Sequence, residues 1–176
     1  AMEERGVDCS RLMTLPERPT PVYMKVLEPE GESWRERDRL DVFPRRPLEG
    51  SVEQHLQEEL AAACEGASAL LISDYGEAGK AGVVGSATHK NAAALSTALS
   101  NLVVLADSRL RLGLFEGVAI KPNEAELRRL LEMPASGDIP VEDLLEAGQD
   151  LARRRGATVF ATLAERGALV CSAETA

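Results

Sequence analysis

The segment 121–126, Lys-Pro-Asn-Glu-Ala-Glu, contains residue types that can bind phosphate and magnesium. Asn123 and Glu126 have the Asn-x-x-Glu spacing of a helix capping box, in which each side chain accepts from the other residue's backbone N–H. Lys121 adds a positive charge just before this turn. Apolar residues precede the segment and leucines follow it at helical spacing, which predicts a strand, a polar turn and a helix. Such a turn either binds an anion at the carboxyl edge of a sheet or simply caps the helix, and the motif leaves both interpretations open.

The elements that must position this turn belong to a regular alternation of apolar runs and helical patterns. We predict strands at 69–73, 102–106, 118–120, 157–163 and 167–171, and helices at 51–65, 92–99, 124–133 and 139–155. Short alternating units of this kind favour right-handed crossovers and a mostly parallel sheet. The predicted fold class is therefore α/β, a Rossmann-like three-layer arrangement with helices on both faces and an antiparallel last strand. It forms one domain over residues 1–176.

The N-terminal part of the chain has a different pattern. Residues 20–27 and 39–43 have strand composition, and the polar stretch between them contains Pro29 and Gly31. This predicts a hairpin at a sheet edge, or lid-like strands, within residues 20–48. After it, Ser51 and Gln54 have the spacing of a second capping box.

Polar residues follow the predicted strands at their carboxyl ends, which meet at one edge of a parallel sheet if the strands are neighbours. These residues are Asp74, Asp107 with Arg109, Lys121 with Asn123 and Glu126, and Thr162. Two carboxylates, a lysine and a capped helix start can together hold an anion and its magnesium ion. The simpler interpretation is that each carboxylate caps the helix that follows its strand.

Composition excludes several classes of function. Acidic residues outnumber basic ones 29 to 20, and the net charge of −9 argues against a nucleic-acid partner. No apolar run approaches the ~18 residues of a membrane span, and the first residues are too polar for a signal peptide. Three widely spaced cysteines favour a reducing compartment over a disulfide framework. We therefore expect a cytoplasmic protein with neither nucleic acid nor membrane as its partner.

Four stretches of the chain, in this order, resemble the ribokinase-like (PfkB) carbohydrate kinases. They are Arg18-Pro-Thr-Pro-Val with Lys25-Val-Leu, Leu71-Ile-Ser-Asp-Tyr-Gly, Ala106-Asp-Ser-Arg with Ile120-Lys-Pro-Asn-Glu-Ala-Glu-Leu, and Thr162-Leu-Ala-Glu-Arg-Gly-Ala-Leu-Val. The resemblance is greatest to the branch that contains the heptose-phosphate kinase domain of ADP-heptose synthesis. It implies ATP-dependent phosphorylation of a sugar or sugar phosphate.

The resemblance also implies roles for individual residues, carried over by position. Asn123 and Glu126 fall on the family's Asn-x-x-Glu, which holds magnesium and phosphate through water. Lys121 falls where several members place a lysine near the transferred phosphate, and Thr162 and Gly167 fall on a Thr-x-Gly-x-x-Gly turn that lines the nucleotide. The cofactors implied are ATP and Mg²⁺.

For the sugar or its phosphate, the resemblance implies contacts from Asp74, Asp107 and Arg109. Two positions depart from the family pattern. The middle glycine of the Thr-x-Gly turn is Ala164, whose Cβ crowds a nucleotide or disfavours a positive φ, and Tyr23 replaces a lysine.

The chain resembles the central part of such a kinase. The family's Gly-Gly sugar-binding segment is expected before residue 1, and the Asp-Thr-x-Gly-Ala-Gly-Asp segment, with the general base and the anion hole, after residue 176. We therefore expect no catalytic residue within the chain and no phosphoryl transfer by the chain alone. If covering elements of the full domain are absent, apolar surface must pair with another copy or aggregate, so a homo-oligomer is one of two expected outcomes.

Two further hypotheses remain. The chain can be a non-catalytic α/β binding or regulatory module that kept the kinase scaffold. A dinucleotide-binding dehydrogenase is disfavoured because no Gly-x-Gly-x-x-Gly follows a predicted strand, and the glycine-rich stretch 76–82 is similar only in composition. The particular sugar is not indicated by any residue pattern.

Overall fold

The computed structural model describes residues 2–76 and 82–172, so the middle of the glycine-rich stretch 76–82 lies outside the described residues. In chain order, the elements are β1 (Val22–Glu30), β2 (Ser33–Val42), α1 (Gly50–Cys64), β3 (Ala69–Asp74), α2 (Ser86–Ala98), β4 (Val103–Ser108), β5 (Ala119–Ile120), α3 (Glu124–Leu130), α4 (Val141–Arg155), β6 (Val159–Thr162) and β7 (Ala168–Cys171). Short 3-10 turns occupy Glu3–Arg5, Leu112–Leu114 and Ala164–Arg166. Among the described residues, no helix is long and apolar enough to cross a bilayer.

Strands β3 to β7 form one sheet in the order β3-β4-β5-β6-β7. The pairs from β3 to β6 are parallel, and β7 is antiparallel to β6. The predicted α/β class, with a mostly parallel sheet flanked by helices, is confirmed. The antiparallel last strand is confirmed as well.

The helices of the described part of the chain share one face of this sheet. Their buried side chains form a single core with one alternating set of strand residues, which includes Ile72, Val104, Ile120 and Val159. This follows from the strand order. Right-handed connections between parallel strands lie on the same side of a sheet when each connection leads to the next strand in the same direction. Within residues 2–76 and 82–172 the strand order does not reverse, so the connections of the described part of the chain stay on one side.

The opposite face of the sheet is apolar and exposed. Leu71, Val103 and Val170 have exposed fractions of 71%, 61% and 63%, although the residues next to them, Ile72, Val104 and Leu169, are buried. Parallel sheets are ordinarily covered on both faces, which is why their strands read as continuous apolar runs. The sequence of these strands therefore fits a sheet with a second covering layer.

The N-terminal strands form a separate two-stranded antiparallel sheet. Both strands are longer than predicted, because charged residues of the stretch between them, expected to form a turn, pair across the strands: Glu36 with Lys25 and Arg37 with Glu28, each at 2.6 Å. The chain reverses at Gly31, whose φ of +63° suits a residue without a Cβ. The predicted hairpin is present, but it does not extend an edge of the larger sheet.

The start of α1 differs from the sequence prediction. Its N-cap is Glu49, which makes no side-chain capping bond, so the predicted box of Ser51 and Gln54 is wrong. The helix begins at Gly50, and Ser51 therefore lies inside the first turn rather than at its cap.

Candidate functional site

The carboxyl ends of β3, β4, β5 and β6 lie side by side, as the candidate site requires. The register pairs Asp74 with Ser108 across β3 and β4, and an isolated bridge pairs Asn123 with Thr162. The polar residues that follow these strands therefore lie along one edge of the sheet. Strand alternation divides them between its two faces, because neighbouring residues of a strand point in opposite directions.

Asp107 and Lys121 form an ion pair at the middle of this edge. The carboxylate of Asp107 lies 2.9 Å from Lys121 Nζ, and both side chains are partly exposed. The backbone N–H of Lys121 donates to the carbonyl of Ala106 at 2.9 Å, which continues the β4–β5 pairing past the end of β5. Asp107 alternates with buried Ala106 and Ser108, so the pair lies on the exposed face of the sheet. An ammonium group here is accessible to an anion from solvent.

The capping box predicted at the start of α3 is confirmed. Asn123 Oδ1 accepts from the backbone N–H of Glu126, and Glu126 Oε2 accepts from the backbone N–H of Asn123, both at 2.9 Å. Glu126 is buried, and α3 is only seven residues long, so the helix dipole contributes little here. The capping interpretation thus accounts for both side chains, and their role toward magnesium stays a prediction.

The turn between β6 and β7 lies next to this cap. The backbone N–H of Thr162 donates to the Pro122 carbonyl at 3.0 Å, and Leu163 N–H donates to the Gly167 carbonyl at 2.8 Å. Ala164, at the place of the family's middle glycine, has a φ of +52°, and Gly167 has a φ of +91°. Alanine therefore adopts the left-handed conformation that the sequence analysis considered unfavourable, at a cost of about 1 kcal/mol.

Asp74 is held by protein groups on the helix-covered face of the sheet. Its exposed fraction is 2%. One carboxylate oxygen accepts from Ser108 Oγ at 2.7 Å and from Arg111 Nε at 2.9 Å, while the other accepts from Arg111 Nη2 and from Gly76 N–H. These contacts account for Asp74 without a substrate, and the sequence analysis missed its partner Arg111.

Two glycines permit this buried ion pair. A Cβ placed on Gly76 would lie 2.7 Å from Arg111 Nη2, and one on Gly82 would lie 3.2 Å from the same atom. Both distances are too short for ordinary van der Waals contact. Gly76 and Gly82 were therefore a sequence signal for a side chain that lies close to both of them.

A cavity of about 270 Å³ lies between the hairpin and the end of β3. It is lined by Arg18, Pro21, Tyr23, Phe43, Pro44, Ser73, Asp74, Tyr75, Gly76, Gly82, Val83 and Val84. Tyr23 Oη donates to the Tyr75 carbonyl at 3.4 Å, and the guanidinium of Arg109 lies 5.8 Å from the centre of the Tyr75 ring. The structure thus places Arg109 beside this cavity and brings Asp107, Lys121, Asn123 and Thr162 together along the edge next to it.

A second charged group near the cap was also missed by the sequence analysis. Glu124, the first residue of α3, is paired with Arg128 and with Arg166 of the β6–β7 turn. Hydrogen bonds from Arg166 first, and from Arg128 second, lower the pKa of Glu124. In the described part of the chain, no three His, Cys, Asp or Glu residues are grouped so that they could hold a metal ion by themselves.

The described residues form an α/β fold with a mostly parallel sheet and flanking helices. Solved structures of phosphofructokinase-2 from Escherichia coli share it. The complex with fructose-6-phosphate has 20% sequence identity and a TM-score of 0.52, over 78% of this chain and 45% of that chain. The tetrameric inhibited form has 20% sequence identity and a TM-score of 0.53, over 78% of this chain and 45% of that chain. The potassium complex has 21% sequence identity and a TM-score of 0.54, over 78% of this chain and 44% of that chain.

The chain thus spans less than half the length of the solved proteins it matches. No protein-family model matches the sequence. No curated protein matches it either.

Proposed function

We propose that the chain is the central part of a ribokinase-like carbohydrate kinase, which transfers a phosphoryl group from ATP to a hydroxyl of a sugar or sugar phosphate. The observation that carries the proposal is the arrangement of Asp107, Lys121, Asn123 and Thr162 along the carboxyl ends of three adjacent strands. The four sequence stretches that resemble the family support it. They favour the heptose-phosphate kinase branch.

In this proposal the nucleotide phosphates lie along the edge formed by β5 and β6. Lys121 neutralises charge on the transferred phosphoryl group, and Thr162 and Gly167 line the nucleotide. Asn123 and Glu126 hold Mg²⁺ through water, and phosphate oxygens complete its ligands. Phosphoryl transfer depends mainly on positioning and charge neutralisation, which such an edge can supply.

The sugar lies toward β3 and β4, beside the cavity under the hairpin. Asp107 and Arg109 contact the sugar or its phosphate. Asp74 lines the same cavity, but its carboxylate is already bonded by Ser108 and Arg111, so Asp107 and Arg109 carry the sugar contact in this proposal. The fructose-6-phosphate bound to the phosphofructokinase-2 neighbour supports a sugar phosphate as the substrate class.

The chain by itself does not carry out the transfer. Its sequence has no Gly-Ala-Gly-Asp segment, the context in which the family places its general base. Sugar-dependent ADP formation by the pure chain, above a control without protein, would overturn this statement. A tetrameric phosphofructokinase-2 and the exposed apolar sheet face both support a homo-oligomer.

Calorimetric titration with magnesium-ATP tests the nucleotide site. We expect the chain to bind and Glu126→Gln to weaken binding, because the amide loses the charge that attracts the metal. Glu146→Gln, the same change at an exposed position of α4, is the control and should bind like the unmodified chain. Equal affinity in all three proteins would contradict the role of Glu126, and no binding by the unmodified chain would contradict a nucleotide site within it.

A second candidate is a non-catalytic module on the same scaffold. It is favoured by Ala164, whose Cβ stands on the turn proposed to line the nucleotide. Ala164→Gly distinguishes the two hypotheses. A nucleotide site that works with alanine should bind magnesium-ATP about equally in both proteins, whereas a site that alanine has closed should bind only in the glycine variant.

A further inference from the structure

An ion pair connects the two segments of the proposed nucleotide site. Arg166, in the turn after β6, places Nη2 2.6 Å from a carboxylate oxygen of Glu124, at the start of α3. Its Nη1 donates to the Ile139 carbonyl at 2.8 Å, in the loop that leads to α4. One guanidinium therefore joins the β6–β7 turn, the first turn of α3 and the α3–α4 loop.

Arg128 fixes the acidic partner of this pair from the other side. It bonds the second carboxylate oxygen of Glu124, and its Nη1 donates to the Gly137 carbonyl at 2.9 Å. The Arg128 side chain is buried, whereas those of Glu124 and Arg166 are about one quarter exposed. Because Arg128 restrains Glu124, the carboxylate presents one defined oxygen to Arg166.

The charges of this pair persist at neutral pH. Hydrogen bonding by Arg166 lowers the pKa of Glu124, and the same bond raises the pKa of Arg166. The pair is also adjacent in sequence to residues of the proposed nucleotide site, since Glu124 follows Asn123 and Arg166 precedes Gly167. Within that turn, Ala164 and Gly167 both have positive φ, and the backbone bonds of the turn, from Arg166 N–H to Leu163 and from Gly167 N–H to Ala164, join it only to itself.

We propose that Glu124 and Arg166 are a positioning pair, which holds the β6–β7 turn against the start of α3 so that Thr162 and Asn123 face one nucleotide together. This inference rests on the proposed function. In it, Arg166 acts through Glu124 and does not itself contact the phosphates. The alternative is that Arg166 leaves Glu124 and binds a phosphate directly, as arginine often does.

The two roles predict opposite effects at Glu124. If Arg166 acts through Glu124, both Arg166→Met and Glu124→Gln weaken magnesium-ATP binding, by roughly tenfold, and the double variant is no worse than either single one. If Arg166 binds phosphate directly, Glu124→Gln releases the guanidinium and leaves affinity equal or higher. Calorimetry on the whole chain measures all four proteins. Arg153→Met, which breaks an exposed ion pair with Asp150 on α4, is the control and should have no effect.

Amide hydrogen exchange tests the positioning without nucleotide. We expect Arg166→Met and Glu124→Gln to speed exchange at Leu163, whose N–H closes the turn onto the Gly167 carbonyl, while exchange in β3 stays unchanged. Equal or tighter nucleotide binding in Glu124→Gln, additive losses in the double variant, or unchanged exchange at Leu163 would each overturn the inference. If the unmodified chain binds no nucleotide, the proposed function fails, and hydrogen exchange alone decides whether the pair positions the turn.

Discussion

Two ion pairs stand at the same edge of the sheet, both next to the end of β4, and differ in their exposure and in the face of the sheet on which they lie. Asp74 and Arg111 lie on the helix-covered face, with side chains 1% and 12% exposed. Asp107 and Lys121 lie on the open face, with side chains 29% and 38% exposed. Asp107 belongs to the exposed pair, and the next residue of β4, Ser108, donates a hydrogen bond to Asp74 of the buried pair. The face of the sheet therefore decides what a carboxylate at a strand end can do.

The difference has an energetic consequence. Removing one partner of a buried pair leaves an uncompensated charge and costs about 3–5 kcal/mol. An exposed pair contributes about 0–1 kcal/mol, because water already solvates both groups. We therefore assign Asp74 mainly to stability and Asp107 with Lys121 mainly to binding. The predictions below test that division, from the largest expected effect to the smallest.

Asp74→Asn should cost about 3 kcal/mol or more of the free energy of unfolding, because Arg111 keeps its charge and loses its anionic partner. Urea denaturation measures this change. Asp107→Asn is the matched control, since it removes a carboxylate one strand away on the open face, and should cost about 1 kcal/mol or less. Equal losses in the two variants would contradict the comparison.

Gly76→Ala tests the space that the buried pair requires. The added Cβ meets Arg111 Nη2 at 2.7 Å, so the guanidinium must shift away from Asp74. Crowding of this kind costs about 1–3 kcal/mol, which the same denaturation experiment can detect. Gly113→Ala is the control, because its nearest contact, Leu130 Cδ2 at 3.6 Å, is ordinary packing. A tolerated alanine at position 76 would show that the pair does not need this glycine.

The comparison also shows why the sequence predicted one half of the edge better than the other. The Asn123–Glu126 box is a local motif, in which four consecutive residues contain both partners, and it formed as expected. Arg111 reaches back 37 positions to Asp74, and Glu124 reaches 42 positions forward to Arg166. Periodicity carries no signal for such contacts, because they exist only after the strands have been placed side by side.

The fold was more predictable than these ion pairs, because strands and helices leave local patterns in the sequence. Apolar runs such as 69–73 and 102–106 indicate buried strands, and their alternation with helices implies parallel pairing. The order of the strands is not encoded in any single run. The strands and the helices that flank them were therefore found, whereas the exposure of one face of the sheet was not indicated by any run.

Acid should destabilise the helix-covered half of the edge through His89. Its Nε2 is buried without a hydrogen-bond partner in the described part of the chain, and its ring packs edge-on against Phe115. Burial, and then the charge of Arg111, lower the pKa of His89. The unfolded chain therefore takes up a proton more readily than the folded one, and stability falls as the pH drops below about 6.5.

Urea denaturation at several pH values between 8 and 5 measures the slope of the free energy of unfolding against pH. His89→Gln should flatten it, whereas His55→Gln, at an exposed histidine of α1, should keep it. The carboxylates whose pKa is lowered, Glu124 and Asp8, do not interfere, because their contribution is lost only as the pH falls below their ordinary values near 4. An unchanged slope in His89→Gln would show that the buried imidazole is protonated equally in both states.

Lys121→Met should have the smallest effect on stability and still impair binding. Asp107 then loses a partly exposed partner, which costs about 1 kcal/mol or less. The proposed phosphate site loses its cation, so magnesium-ATP affinity should fall by roughly tenfold. Lys25→Met, which breaks the exposed pair with Glu36 on the hairpin, controls for the loss of one positive charge and should leave affinity unchanged. If Lys121→Met instead destabilised the chain as much as Asp74→Asn and left affinity intact, the open pair would be structural as well, and the two faces of the sheet would not divide stability from binding.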